Sequence, residues 1–262
     1  MRRLSAIAMC LLLCSAGRTF AQGAPLDRVR IVIGAAGNEP LSTFAESFVR
    51  TRNLESAPIT ADLTVSRSPV FDGGARIRFW RANSLGVVAF YGSGSAAGTV
   101  DAMLPHPFYF NQPREVKGPV SVERRVAGLH FELVHTFDIS RSVDLSAFGG
   151  PTAFWMNQDL VSDVAFTDSY PYDTAEFTSA VVKSGKKSGV GANVGGDMTW
   201  HFSRVAGLAV QGRYVYSSVD LQIPDSTMVT LHASRIEVGA GLRLFLGGRS
   251  RVQSRGGART GR

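Results

Sequence analysis

The sequence predicts an all-β fold: an antiparallel, up-and-down transmembrane β-barrel of about eight strands, with short periplasmic turns and long extracellular loops. Three observations carry that expectation. Strand-length segments alternate apolar and polar residues at period two. The connections between them alternate between tight and long. Beyond the N-terminal segment, no apolar run approaches the ~20 residues of a spanning helix, so a closed barrel is the way such a chain could cross a bilayer.

The last strand, Arg235–Leu246, sets the pattern. Ile236, Val238, Ala240, Leu242, Leu244 and Leu246 share one face; Glu237, Gly239, Gly241, Arg243 and Phe245 share the other. A spanning strand needs this, with lipid on one side and a polar or charge-paired interior on the other.

From the N-terminus, the region 27–67 is loosely patterned and punctuated by Pro40 and Pro58. It is expected to hold the first strand, near 29–33, and a loop. Segment 74–80 then places Ala75, Ile77 and Phe79 opposite Arg76 and Arg78. Residues 81–84 turn, and 85–91 return with Leu85, Val87, Ala89 and Tyr91 on one face. Segment 126–137 sets Leu129, Phe131, Leu133 and Phe137 against His130, Glu132 and Thr136. After a turn at 138–141, 143–155 returns, with a bulge expected at Gly149-Gly150-Pro151. Segment 190–202 sets Val190, Ala192, Val194, Met198, Trp200 and Phe202 against Asn193, Asp197, Thr199 and His201. Residues 203–206 turn, and 208–216 sets Leu208, Val210, Tyr214 and Tyr216 against Gln211 and Arg213. Three connections are hairpin-tight. The stretches 92–125, 157–188 and 219–230 are expected to be long loops.

Aromatics gather near strand ends: Phe79 and Trp80, Trp155, Trp200 and Phe202, Tyr214 and Tyr216, and Phe245. Interfacial belts would produce this. The expected inward faces carry Arg76, Arg78, Arg213 and Arg243 with Glu132, Asp144, Asp197 and Glu237, and His130 beside them. An eight-stranded barrel is only wide enough for side chains to fill, so this balance points to a lumen closed by ion pairs.

Composition bounds the function. Two arginines, an apolar run and the end Ser15-Ala16-Gly17-Arg18-Thr19-Phe20-Ala21 read as a signal peptide over 1–21, ahead of a barrel domain at 22–246 and a basic Gly/Arg-rich tail at 247–262 expected to be disordered. A lipoprotein reading at Cys14 is disfavoured by the bulk of Leu13, where a small residue normally precedes the modified cysteine. Cys10 and Cys14 both lie in the signal segment, which excludes disulfides and cysteine-based metal sites or nucleophiles from the exported chain. The net charge of +7 rests on three signal arginines and five in the tail; without these eight the body stands near −1, which removes the argument for a nucleic-acid partner.

The signal peptide, the alternating strands, the absence of cysteine beyond the signal and the Gly-x-Gly-rich last strand together resemble the small bacterial outer-membrane β-barrel proteins, the eight-stranded barrels of OmpA, OmpX and OmpW type. The resemblance spans roughly residues 27–246. It implies outer-membrane localisation, outer-membrane lipids and the barrel-insertion machinery as partners, a monomer, no cofactor, and a structural or surface-interaction role rather than an enzymatic one. A partner for the long loops is not specified. In that family the last strand ends in an aromatic and carries the insertion signal. Gly239, Gly241, Leu244 and Phe245 are the matching positions, although the strand ends in Leu246 and a sixteen-residue tail follows.

Two alternatives stay open: a porin-like channel for small or hydrophobic solutes, and an outer-leaflet lipid A-modifying enzyme. For the latter, His201-Phe202-Ser203 resembles the His-x-Ser pair of lipid A deacylases, with Arg204 where those enzymes carry Asn. The pair falls at a tight turn on the wrong side of the membrane for that substrate. His130 and Glu132 share a face without a third metal ligand. The run Gly92–Gly98 lacks the Lys-Ser/Thr and the helix of a phosphate loop and reads as a flexible loop entrance. The acids and aromatics of 157–187, among them Asp159, Asp163, Asp168 and Tyr170, show no calcium-loop spacing and read as a solvated loop with strand extensions. A soluble lipocalin-like barrel, the main rival fold, would need an apolar interior.

Overall fold

The computed structural model describes residues 28–40, 43–222, 228–232 and 234–247, all in strands and their turns. The signal segment and, apart from Gly247, the basic tail lie outside the described residues. In chain order the strands are β1 (Val29–Pro40), β2 (Thr43–Arg52), β3 (Glu55–Val65), β4 (Ser68–Trp80), β5 (Asn83–Leu104), β6 (Arg114–Asp138), β7 (Val143–Asp168), β8 (Ala175–His201), β9 (Ala206–Gln222), β10 (Met228–His232) and β11 (Arg235–Leu246).

Eight of them close a ring. β1 pairs β4, and β5, β6, β7, β8, β9 and β11 follow in antiparallel succession until β11 returns to β1. Closure leaves no edge within the ring, which a sheet in lipid requires because an unpaired backbone group there finds no water. Three short turns, at 81–82, 139–142 and 202–205, lie at one end. The first and last ring strands meet there too, where Arg28 N–H donates to the Leu246 carbonyl at 3.1 Å.

Period two sorts the side chains as the composition demands. Ile77, Leu85, Phe131, Leu133, Val194, Val210 and Val238 face out and are exposed; Arg76, His130, Glu132, Asp197, Arg213 and Glu237 face in and are buried. The register through 149–151 is unbroken: Gly149, Gly150 and Pro151 pair Val194, Asn193 and Ala192 in step, so the expected bulge is absent. Gly150 instead allows a close approach, since a Cβ there would lie 2.1 Å from the Phe131 carbonyl oxygen. The irregularities fall elsewhere, between Arg78 and Trp80 on β4, between Val161 and Asp163 on β7, and opposite Ala165/Phe166 on β8, where Thr178 is extra.

The other end departs most from expectation. The stretches 92–125 and 157–188 are continuations of β5 to β8, not loops; only 105–113 and 169–174 connect them. The Gly92–Gly98 run lies within β5 and pairs Val126 to Val120 of β6. Alternation continues there, but its sense reverses. Below, β6 turns Phe131 and Leu133 out and Glu132 in; above, it turns Val116, Val120 and Val122 in and Glu115, Lys117 and Glu123 out. The change falls between Ala127 and Arg125 on the outer face. A chain that exchanges an apolar for a polar exterior at one level passes from lipid to water at that level.

The region expected to be a loop after the first strand contains a hairpin, β2–β3, and β3 pairs the upper part of β5 from Ile59↔Ala102 to Val65↔Ala96. β2, β3 and the upper parts of β5 and β6 form one sheet. The ladder between β6 and β7 ends at Arg124↔Gln158, and the β7–β8 hairpin bends over that sheet at its two bulges. Between the layers sits an apolar core that includes Phe48, Ile59, Leu63, Val100, Leu104, Val116, Leu160 and Val164. The bulge residue Ser162 leaves its carbonyl unpaired by β8, and the Arg50 guanidinium donates to it at 3.0 and 3.1 Å. Glu46 accepts from Val161 N–H at 2.9 Å.

Candidate functional site

Two features stand out on this frame: the charged interior of the lower barrel and the tips of the upper strands. In the interior, alternation delivers a side chain from nearly every ring strand to one axis. Arg76 (β4) donates to Glu132 (β6) at 3.1 Å and to Asp197 (β8) at 2.6 Å. Arg213 (β9) donates to the other oxygen of Glu132 at 2.8 Å and lies 3.5 Å from both Asp72 and Glu237. Arg235 bonds Glu237 at 2.7 Å, and Gln211 links Asp72 at 2.7 Å to Arg243 at 2.8 Å. Arg243 also stands 3.7 Å from Asp197. Nearer the short turns, Asp144 receives Arg30 at 3.1 Å and His201 at 2.8 Å.

Among the described residues the buried charges of this interior are Arg30, Arg76, Arg213, Arg235 and Arg243 against Asp72, Glu132, Asp144, Asp197 and Glu237. Five balance five, as burial in a narrow lumen demands; Arg124, half-buried beside Arg235 at the upper end of the network, is a sixth cation. Aromatic rings fill the spaces between them: Phe148 lies under both Arg76 (4.9 Å) and Arg213 (5.2 Å), and Phe90 under Arg235 (5.0 Å).

Of the residues singled out in the sequence, Arg76, Glu132, Asp144, Asp197, Arg213, Glu237 and Arg243 thus meet in this network. Arg78 stands half-buried towards the short-turn end. His130 is buried but separate from Glu132: its Nδ1 meets the Thr152 hydroxyl at 2.8 Å and its ring stacks on Phe90 at 4.4 Å. His201 and Ser203 are engaged apart, the histidine with Asp144 and the serine oxygen accepting from Ala206 N–H at 2.9 Å to cap the turn. Arg30, Asp72 and Arg235 were missed. Each lies an even number of residues from a recognised inward position, or on the first strand, and extending the parity would have found them.

Trp80, Trp155, Trp200, Phe202, Tyr214 and Tyr216 all face outward. Phe245 does not: it is buried inside, stacked on His201 at 4.5 Å with the Arg30 guanidinium 4.9 Å from its centre, because it shares parity with Arg243. The outward rings form two groups. Trp80, Trp200 and Phe202 lie near the short turns, and Tyr91, Trp155, Tyr214 and Tyr216 lie eight to twelve residues up the strands. At the usual rise and tilt this is roughly 20–30 Å along the axis, the height of an outer-membrane apolar band. Gly239 and Gly241, with exposed Leu246 beyond them, sit where β11 closes on β1; a Cβ at Gly239 would lie 2.2 Å from the Ala35 carbonyl oxygen.

At the far end, the buried Arg114 gathers the tips. Its guanidinium donates to Asp168 (2.8 Å), the Tyr172 carbonyl (3.1 Å) and the Pro105 carbonyl (3.2 Å). Asn111 N–H reaches Glu55 at 2.9 Å, and His106 Nδ1 accepts from the backbone N–H groups of Phe108 and Tyr109 at 3.1 and 3.2 Å. On this fixed support Leu54, Phe108, Tyr109, Phe110 and Tyr170 are all more than half exposed.

In the apolar core beneath the tips, burial pushes the Glu46 carboxyl up from 4.5 to about 7, against the pull of the Val161 N–H bond. Between about pH 4.5 and 7 the folded chain therefore holds a proton that the unfolded chain has released. Stability contributed here falls as pH rises through that window. Glu46→Gln is expected to flatten the dependence and raise stability by a few kcal/mol at about pH 8 relative to about pH 5. Urea unfolding in detergent at the two pH values measures it; an unchanged slope would contradict this account.

A closed antiparallel ring with an apolar exterior, two groups of outward aromatics and a paired-charge interior defines a small transmembrane β-barrel. No protein-family model matches the chain, and no curated protein does. Among solved structures it is similar to OprG, an outer membrane protein of Pseudomonas aeruginosa (11% identity, TM-score 0.45, 86% of this chain and 99% of that one). It is also similar to Neisserial surface protein A (15%, 0.39, 86% and 99%) and to the outer membrane protease OmpT of Escherichia coli (10%, 0.38, 87% and 99%). The class rests on this chain's own pairing and face chemistry.

Proposed function

We propose that the chain is an integral barrel of the bacterial outer membrane with a structural or surface-interaction role, its lumen closed by ion pairs. The short turns face the periplasm, the extended strands stand outside the cell, and outer-membrane lipids surround the lower barrel. The observation that carries the closed reading is the doubly filled interior: a balanced, ring-packed charge network below and an apolar core above. A conducting path would have to break buried pairs or open that core. The surface-interaction role is supported by the tips. Along β6 the eleven residue steps from Arg125 to Arg114 raise them by ~36 Å of strand above the level where the exterior becomes polar. Exposed aromatics on a rigid support are the usual composition of a recognition surface.

The barrel and the closure are tested together. Outer-membrane fractions from expressing cells should yield a band whose gel mobility changes on boiling, and the purified protein in planar bilayers should give no steady conductance. A soluble periplasmic protein would contradict the barrel reading, and stepwise single-channel currents would contradict the closure and favour the small-solute channel. The tip is tested on intact cells. Those displaying Phe108→Ser/Phe110→Ser/Tyr170→Ser should be retained on octyl-coated beads less than those displaying the unaltered chain; equal retention would contradict an accessible apolar tip.

A further inference from the structure

The outer wall carries a concave feature at the level where the exterior changes character. One row of outward positions runs across four strands through the pairs Tyr91↔Ala127, Ala127↔Trp155 and Trp155↔Ser188. Two exposed aromatic side chains thus flank a methyl group, and a groove of about 430 Å³ opens between them, with Ala127 as its floor and Tyr91 and Trp155 on its rim. The next row towards the tips pairs Ser93↔Arg125 and Asn157↔Lys186, and Lys187 borders the same groove. Below Ala127 the outer face of β6 continues with Leu129, Phe131 and Leu133.

We infer that this groove binds one phosphorylated acyl lipid of the outer leaflet, with a chain lying over Ala127 between Tyr91 and Trp155 and the headgroup phosphate held by Arg125 and Lys186. The inference rests on the membrane reading above. The order of the parts selects the occupant: apolar groove, aromatic rim and cations succeed one another along the axis as chain, interface and headgroup do in a lipid. A free phosphate would use the cations but leave the groove empty, and a neutral lipid would do the reverse. Glu123 shares Arg125 at 2.7 Å, and Asp159 stands one position above Asn157 on the same face. Arg125 has five N–H donors, so one carboxylate does not exhaust it. Among the described residues neither Lys186 nor Lys187 has an ion-pair partner. The two carboxylates lie above the groove and weaken the cationic field there, which places the phosphate below them, at the level of Lys186.

The test uses the full protein purified in neutral detergent and stripped of lipid, with dioleoyl phosphatidic acid and dioleoyl phosphatidylcholine as probes and native mass spectrometry as the readout. One phosphatidic acid per barrel should be retained at least about tenfold over phosphatidylcholine. Two variants separate the parts: Arg125→Gln/Lys186→Gln removes the outward cations, and Ala127→Trp fills the groove while keeping them. Both substitutions point away from the packed interior, so both proteins should remain heat-modifiable barrels. Each should lose the preference, and millimolar-range inorganic phosphate should not displace the bound lipid. A barrel without preference, an unaltered preference in Ala127→Trp, or displacement by phosphate alone would overturn the lipid site while leaving the barrel intact. Failure to recover a heat-modifiable barrel from membranes would instead overturn the membrane reading beneath it.

Discussion

Arg213→Met is expected to destabilise the barrel by about 3–5 kcal/mol, the cost of removing one partner from a buried ionic network. Arg213 touches three carboxylates: Glu132 at 2.8 Å and Asp72 and Glu237 at 3.5 Å. None can recover water, because all are buried. Methionine replaces much of the volume against Phe148 but none of the charge, leaving four arginines facing five carboxylates. Urea unfolding in detergent micelles or bilayers measures the loss. The double variant Arg213→Met/Glu132→Leu restores the balance, since Arg76 keeps Asp197. It should be more stable than Arg213→Met alone. A double variant whose loss is the sum of the two single losses would show that the groups contribute separately and not as a network.

Gly239→Val should be nearly as damaging for a different reason. A Cβ there meets the Ala35 carbonyl oxygen at 2.2 Å and the Ala36 Cα at 2.5 Å, both backbone atoms of β1. No rotamer relieves contact with backbone, so β1 and β11 must move apart at the seam that closes the ring. A loss of ~3 kcal/mol or more is expected, at the upper end of overpacking effects because the seam is also the closure. The neighbouring Val238→Leu, on the outer face, serves as a control and should change stability by less than about 1 kcal/mol. Refolding yields read by heat-modifiability would show the same order. Equal behaviour of the two variants would mean that the seam tolerates a side chain and that the glycine serves another purpose.

The ring strands and their faces were legible because period two is unambiguous wherever one side meets lipid. Phe131 and Leu133 against Glu132 mark one apolar and one polar face, and every later ring strand repeats the contrast. The upper storey was not legible, for the same physical reason. Where strands leave the bilayer, the apolar side turns inward and the polar side outward, so Val116, Val120 and Val122 alternate with Lys117, Ser121 and Glu123 in the opposite sense. A search for lipid-facing strands discards such a stretch as loop. Glycine and serine in 92–98 reinforced that reading, although the run lies in β5. The β2–β3 hairpin was hidden by Pro58, which sits opposite Val49 on the strand between β2 and β5. Within the charge network, the missing members follow from incomplete use of parity: Asp72 is four residues from Arg76, and Arg235 two from Glu237. Phe245 was misplaced among the girdle aromatics because its position at a strand end was weighed over its parity with Arg243.

The inversion of faces on a single strand is the central claim, and spin labels along β6 test it most directly. Single cysteines at the outward positions Lys117, Ser121, Leu129, Phe131 and Leu133, each labelled and studied in lipid bilayers, report collision with oxygen, which concentrates in lipid, and with a water-soluble nickel chelate. Labels at Leu129, Phe131 and Leu133 should favour oxygen and those at Lys117 and Ser121 nickel, with the crossover between Arg125 and Ala127. Nickel access along the whole of β6 would contradict a membrane-spanning lower barrel, and oxygen preference continuing to Lys117 would contradict the water-exposed upper storey.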